Sequence, residues 1–330
     1  MKQRSLGPFA ISAIGVGCMN LSHAYGTPPD TQSAARILLR ALDLGYTHFD
    51  TAALYGFGAN ETLLGRTLHN YRDRFVLASK CGMFANSAGV REIDGRPATL
   101  RQTVDDSLRR LQVETIDICY LHRWDKRLPI EDSVGALSEM IAAGKIRTIG
   151  LCEVSARTLQ RAYRVHPIAA LQSEYSLWTR NPEIAVLQEC RRLGVSFVAF
   201  SPLGRGFLAG ALQDVSTLHA KDIRRQMPRF EPARYAANLL LYQSFCGIAS
   251  EVGCTSAQLA LAWLLARGPD IIPIPGTTRL DHLEENAAAE KITLTSDVLT
   301  RLDALLNAKT VVGQRYNAAT QEEIDTEEYA

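Results

Sequence analysis

The chain has 330 residues, 46% of them apolar and 22% charged, with 36 Lys and Arg against 35 Asp and Glu for a net charge of +1. That composition excludes disordered, collagen-like and coiled-coil chains and offers no basic surplus for nucleic acid. No stretch nears the roughly 18 uninterrupted apolar residues of a membrane span, and the length fits one (β/α)8 barrel of about 250 residues plus insertions.

At the N-terminus, Lys2 and Arg4 precede a mildly apolar run ending in Gly17-Cys18. Pro8, Ser12 and glycines interrupt it, so it reads as structure rather than a secretory leader. The residues before Gly7-Pro8 suit a hairpin closing a barrel bottom. Strands are then predicted at Ala13–Gly17, Thr47–Asp50, Phe75–Lys80, Ile116–Leu121, Ile146–Leu151, Ala169–Gln172, Val195–Phe200 and Ile271–Ile274. Helical patterns fall between them at Gln32–Leu44, around Leu63, Leu64 and Leu68, and at Leu100–Leu111, Asp132–Ala143, Pro182–Leu193 and Ser256–Arg267. Gly45, Gly144 and Gly194 follow three of these helices, where a left-handed cap favours glycine. Thr295–Leu306 adds a helix after the last strand, and Leu203 to Arg234 forms a long loop of the kind that is usually functional.

Strands alternating with helices indicate a parallel sheet. The fold class is therefore α/β, a (β/α)8 TIM barrel with an N-terminal hairpin and extra C-terminal helices, expected as one domain over residues 1–330. Seven cysteines lie singly, without CxxC or zinc spacing, which suits a reducing, cytoplasmic setting.

In a barrel, chemistry gathers at the C-terminal ends of the strands. Asp50 and Lys80 end two strands, His122 directly follows a third, and Tyr55 lies five residues beyond Asp50. Singly, these could be a helix cap, two solvated loop residues and a packing aromatic. Together on one rim they make a tuned phenol. Tyrosine ionises near pH 10, an ammonium such as Lys80 favours its phenolate, and Asp50 anchors that lysine. Tyr55 could then give a proton to a carbonyl oxygen that His122 orients. Nothing in the set supplies a metal cluster or covalent nucleophile, so the missing reagent is a hydride, which needs a cofactor.

These residues resemble those of the aldo-keto reductases. The likeness runs from Ile14-Gly15-Val16-Gly17-Cys18-Met19 through Asp50-Thr51-Ala52…Tyr55-Gly56, Ala59-Asn60-Glu61…Gly65, Lys80 and Asp117…His122. It continues through Gly144-Lys145-Ile146-Arg147…Gly150, Gln172-Ser173-Glu174-Tyr175-Ser176, Phe200-Ser201-Pro202-Leu203-Gly204-Arg205-Gly206 and Ile274-Pro275-Gly276-Thr277…Asn286. The family's Asp, Tyr, Lys and His tetrad falls on Asp50, Tyr55, Lys80 and His122. What this implies is NADPH-dependent reduction of an aldehyde or ketone, with a small-molecule carbonyl substrate as partner.

The resemblance also implies cofactor contacts. Cys18, Met19 and Asp50 fall on that side, and Gln172 with Cys152 and Glu153 falls at the nicotinamide carboxamide. Cys152 departs from the serine of many relatives, and a thiol is the weaker hydrogen-bond partner. Phe200 would cover the ring, and Ser201, Pro202, Leu203, Gly204, Arg205 and Gly206 resemble the pyrophosphate loop. Gly276, Thr277, Thr278 and Arg279 suit an adenosine 2′-phosphate, His282, Glu285 and Asn286 an adenine, and Arg229 the phosphates or a surface ion pair. A GxGxxG after the first strand is absent, so no Rossmann site is implied.

The same resemblance implies a second function, a weakly active NADP(H)-binding regulatory subunit of the potassium-channel β-subunit type. Those subunits depart from the tetrad at the histidine, which is intact here. Substrate choice rests on loops Asn20–Asp30 and Phe84–Arg96, where Tyr25, Phe57, Phe84, Trp124 and Trp178 could make an aromatic pocket. Relatives include monomers and larger assemblies, and no motif here selects between them.

Overall fold

The computed structural model describes residues 1–22, 24–86 and 90–329. A hairpin of β1 (Gln3–Leu6) and β2 (Phe9–Ser12) opens the chain. Eight parallel strands follow: β3 (Val16–Gly17), β4 (His48–Asp50), β5 (Val76–Cys81), β8 (Ile116–Leu121), β9 (Ile146–Cys152), β10 (Ile168–Glu174), β11 (Ser196–Phe200) and β12 (Ile271–Pro273). They pair in that sequence, each with the next. The ring closes where Gly15 N–H donates to Pro273 O at 3.0 Å and Gly17 N–H to Pro275 O at 3.2 Å. Gly17 is required at that seam, because a Cβ there would stand 2.6 Å from the Ile274 carbonyl oxygen.

Helices α1 (Thr31–Asp43), α2 (Ala59–Leu68), α3 (Pro97–Leu111), α4 (Ile130–Ala142), α5 (Ala156–Val165), α6 (Val186–Leu193), α7 (Pro232–Val252), α8 (Ser256–Ala266) and α9 (Leu280–Ala288) surround the strands. α1 shows the local logic. Asp30 caps its first turn by accepting from Ser33 N–H at 2.9 Å, and Ala34, Ile37, Leu38, Ala41 and Leu42 bury one stripe against the barrel. Two cores result. The larger lies between helices and strands. The smaller fills the barrel with Ala78, Ile118, Tyr120, Ala170, Val198 and Ile272 above the hairpin residues Leu6 and Ile11. Arg4 pins that hairpin to the carbonyls of Leu265, Gly268 and Ile271. Among the described residues no single helix is long and apolar enough to cross a membrane.

The eight strands and the N-terminal hairpin follow the sequence pattern, with ends shifted by up to three residues. Five features do not. A second hairpin, β6 (Met83–Ala85) and β7 (Arg91–Ile93), occupies the Phe84–Arg96 loop. α5 and α7 replace segments without an expected element, and α6 starts at Val186 because a 3₁₀ turn takes Asn181–Glu183. The long loop is tied by four 3₁₀ turns, including Gly204–Gly206 and Pro228–Phe230. After α10 (Ser296–Leu305) the chain returns over the barrel mouth through a short helix, α11 (Ala318–Glu322).

Packing inside the barrel makes a stability test. A Cβ at Gly150 would fall 2.2 Å from the ring of fully buried Tyr120, whereas one at Gly135 in α4 would meet nothing within 4 Å. Gly150→Ala is expected to lose about 1–3 kcal/mol through overpacking. Gly135→Ala should gain about 0.5–1 kcal/mol from helix propensity. Urea melts that rank the two variants alike would contradict this packing.

Candidate active site

Strand register delivers three ionisable groups to one end of the barrel. Asp50 ends β4, Lys80 lies one residue from the end of β5, and His122 follows β8, its N–H bonded to Cys81 O at 2.9 Å. All three are buried. Lys80 Nζ pairs with Asp50 Oδ1 and donates to Thr51 O at 2.8 Å, while Gln172 Nε2 of β10 donates to Asp50 Oδ2 at 2.7 Å. Tyr55 sits on a 3₁₀ turn over this pair. Lys80 Nζ lies 5.0 Å from the Tyr55 ring centre, and the Tyr55 and His122 rings meet edge to face with centres 5.8 Å apart.

The Ala59-Asn60-Glu61…Gly65 motif serves this arrangement from behind. Asn60 Nδ2 donates to Cys18 O at 2.8 Å, and Thr51 Oγ1 donates to Asn60 Oδ1 at 2.6 Å, joining the loops after β3 and β4. Buried Glu61 pairs with Arg110 of α3, and Gly65 lets α2 press on α3, since a Cβ there would lie 2.3 Å from Arg110 O.

Electrostatics refine the sequence argument. Burial pushes the Tyr55 phenol up to about 12, with the Lys80 charge pulling the other way. The ammonium therefore offsets a desolvation that the sequence could not show, rather than setting a low value by itself. For Lys80, burial opposes the charged form, but Asp50 prevails and holds the ammonium well above its ordinary range. Burial likewise pushes the Cys152 thiol up to about 12, against the charges of Lys80 and Arg123.

A cavity of about 870 Å³ opens over the tetrad and runs along the barrel mouth. Asp50, Tyr55 and His122 line its base, with Cys18, Met19, Cys152, Gln172 and Phe200 nearby; Lys80 lies beneath them. Ser201, Pro202, Leu203, Arg205 and Gly206 line its middle, and Gly276, Thr277, Thr278, Arg279, His282, Glu285 and Asn286 line the stretch at the start of α9. Ser201, Gly204, Arg205 and Gly206 all have positive φ. The coil is closed by its own turns, Gly204 N–H donating to Ser201 O at 2.9 Å and Gly206 N–H to Leu203 O at 3.1 Å. Arg279, exposed at the helix start, pairs with Asp281.

Several expected residues lie elsewhere. Glu153 turns away from the cavity and takes Arg315 of the C-terminal segment at 2.8 Å. Arg229 does not line the cavity and forms no ion pair among the described residues. It is half-buried as a clamp, donating to Trp178 O at 2.5 Å, Thr179 Oγ1 at 2.8 Å and Gly313 O at 3.0 Å, and desolvation lowers it to about 10. Gly204 abuts Trp178. The five aromatics do not gather either. Tyr25 lines the cavity, but Phe57 and Phe84 line a separate groove against α3. Trp124 packs under Arg161 and bonds Leu128 O, and Trp178 stacks on Phe207 with centres 4.2 Å apart. His23 and residues 87–89 of the two substrate-loop segments lie outside the described residues.

Lining residues without a motif include Arg91, Arg123, Arg224, Gln226 and, from the returning C-terminal segment, Tyr316, Asn317 and Thr320. Buried Glu174 receives Arg205 Nη2 at 2.6 Å, and the same nitrogen donates to Tyr316 Oη at 2.9 Å, tying that segment to the loop after β11. Only Arg123 carried a sequence signal, its place beside His122.

Comparison with known proteins covers almost all of this framework. Residues 13–307 match the aldo/keto reductase family. The chain is 40% identical over 319 residues to "Aldo-keto reductase yakc [NADP(+)]" of Schizosaccharomyces pombe, covering 95% of this chain and 94% of the relative. It superposes on the glycerol dehydrogenase AKR11B4 of Gluconobacter oxydans with a TM-score of 0.86 at 28% identity, covering 96% of this chain and 99% of that one. An aldo/keto reductase of Klebsiella pneumoniae, solved in complex with NADP and acetate, gives a TM-score of 0.74 at 27% identity, covering 96% and 99%. Sequence likeness of this extent, on an eight-stranded parallel barrel, means that the chain belongs to the aldo/keto reductase family.

Proposed function

We propose that the protein uses NADPH to reduce an aldehyde or ketone to the alcohol, with Tyr55 as proton donor and His122 orienting the carbonyl. The observation that carries this reading is a phenol held protonated by burial, beside an anchored ammonium and a histidine, at the base of a long cavity. Family membership and the cofactor in the yeast relative's name support it.

The cavity suits a dinucleotide phosphate. Its middle is the left-handed coil around Gly204–Gly206, and Gly276 leaves space that a Cβ would fill at 2.8 Å from Asn20 Oδ1. Its far end offers two threonine hydroxyls, a guanidinium and the N-terminus of α9, all favourable to an anion. Gln172 and Cys152 would meet the nicotinamide end, and Phe200 its face. Bound there, the cofactor supplies the hydride. Tyr55 delivers the proton to the carbonyl oxygen, Lys80 favours the phenolate left behind, and Asp50 keeps Lys80 in place with help from Gln172. The seven cysteines are all free thiols, in keeping with a cytoplasmic enzyme.

Steady-state NADPH oxidation with a panel of aldehydes and ketones tests the reaction. Cofactor choice has its own test. Arg279→Ala should weaken NADPH about 10–100-fold, the range for a charge-assisted hydrogen bond, and NADH far less. Asp281→Asn frees the guanidinium from its partner and should tighten NADPH binding. Fluorescence titrations with equal losses for both cofactors in Arg279→Ala would remove this residue from phosphate recognition.

A further inference from the structure

Arginines lining the cavity fall into two groups. Arg91, Arg205, Arg224 and Arg279 each face a carboxylate, from Glu323, Glu174, Asp222 and Asp281 respectively. Arg123 faces none among the described residues. Its Nη1 donates to His122 O at 2.7 Å, and its Nε is shielded from solvent with no acceptor. Arg123 as a whole is half-buried and lines the cavity, so its charge stands without a carboxylate beside the space that a substrate would enter. The position is also telling. Arg123 directly follows the histidine beside Tyr55, and its charge is felt at Cys152, so it belongs to the tetrad end of the cavity rather than the far end with Arg279.

We propose that Arg123 is a substrate-binding residue that receives a carboxylate on the carbonyl substrate while the carbonyl oxygen meets Tyr55 and His122. The preferred substrates are then aldehydes or ketones carrying a carboxylate a few bonds from the carbonyl. A planar guanidinium fork suits that group, and burial strengthens the pairing. The inference rests on the carbonyl-reductase reading and names the substrate class of that site.

The test compares 4-carboxybenzaldehyde with its methyl ester, and succinic semialdehyde with butanal, each pair differing chiefly in the charge. In the wild-type protein kcat/KM should favour the carboxylate by about 10–100-fold, the size of a charge-assisted hydrogen bond. Arg123→Gln should collapse that ratio towards one, and Arg123→Lys should keep part of it. A second readout needs no turnover: 4-(hydroxymethyl)benzoate should raise the melting temperature of the NADP⁺-bound wild type and of Arg123→Lys, but not of Arg123→Gln. If Arg123 only supports the His122 backbone, both members of each pair fall together in Arg123→Gln and the ratio stays. That result overturns the proposal, as does a wild type without carboxylate preference, and both leave the reductase reading standing. Failure of the wild type to reduce any carbonyl would overturn the reductase reading and this inference with it.

Discussion

Tyr55→Phe is expected to lower kcat for carbonyl reduction by about 10²–10⁴-fold, the usual contribution of a positioned general acid. The variant keeps the ring that meets His122 edge to face and lies over Lys80, so the cavity wall and cofactor affinity should stay nearly as they are. Only the proton donor is lost. Cofactor titration alongside single-turnover reduction separates the two effects. A variant with at least half the wild-type kcat, under conditions where hydride transfer limits turnover, would remove Tyr55 from the acid role.

Lys80→Met carries the second large effect and divides into two parts. Lys80 and Asp50 are both buried, and Asp50 would be left with Gln172 as its only described side-chain partner. Stranding that carboxylate should destabilise the fold by about 3–5 kcal/mol. Separately, removing the ammonium deletes the influence that opposes desolvation of Tyr55, whose phenol already lies near 12. The phenol pKa then rises further, so residual alcohol oxidation, which needs phenolate, moves to higher pH. The double variant Asp50→Asn/Lys80→Met separates the parts, because it leaves no stranded charge. It should regain most of the lost stability while turnover stays low and the alkaline shift persists. Recovery of both stability and turnover would make the pair a strand tie with no role in the chemistry.

Legibility of the fold in the sequence followed the physics of each segment. β8 could be bounded at Ile116–Leu121 because Ile116, Ile118, Cys119, Tyr120 and Leu121 make an apolar run too short for a helix, and in the structure all six residues are buried. α7 escaped because apolar side chains surround it instead of forming one stripe, and it packs against α10, the 3₁₀ turn at Pro228–Phe230 and α8. The tetrad positions were legible because strand ends fix a common level. Arg229 and Trp178 were not, since their partners come from distant chain: Arg229 bonds Gly313, 84 residues away, and Trp178 stacks on Phe207. Phe57 is turned outward by a left-handed backbone, φ 52°, that no motif announces at a phenylalanine. Glu153 likewise has φ 53°, and this strained turn accompanies its pairing with Arg315 instead of a place in the cavity.

The central claim, that this cavity carries out hydride reduction of a carbonyl with Tyr55 as acid, is tested most directly by isotope transfer. Wild-type protein, 4-carboxybenzaldehyde and NADPH deuterated at the reactive nicotinamide carbon should yield an alcohol with one deuterium on its carbinol carbon, and Tyr55→Phe should form it about 10²–10⁴-fold more slowly. Alcohol without deuterium, or equal rates of labelled product from the two proteins, would contradict the account.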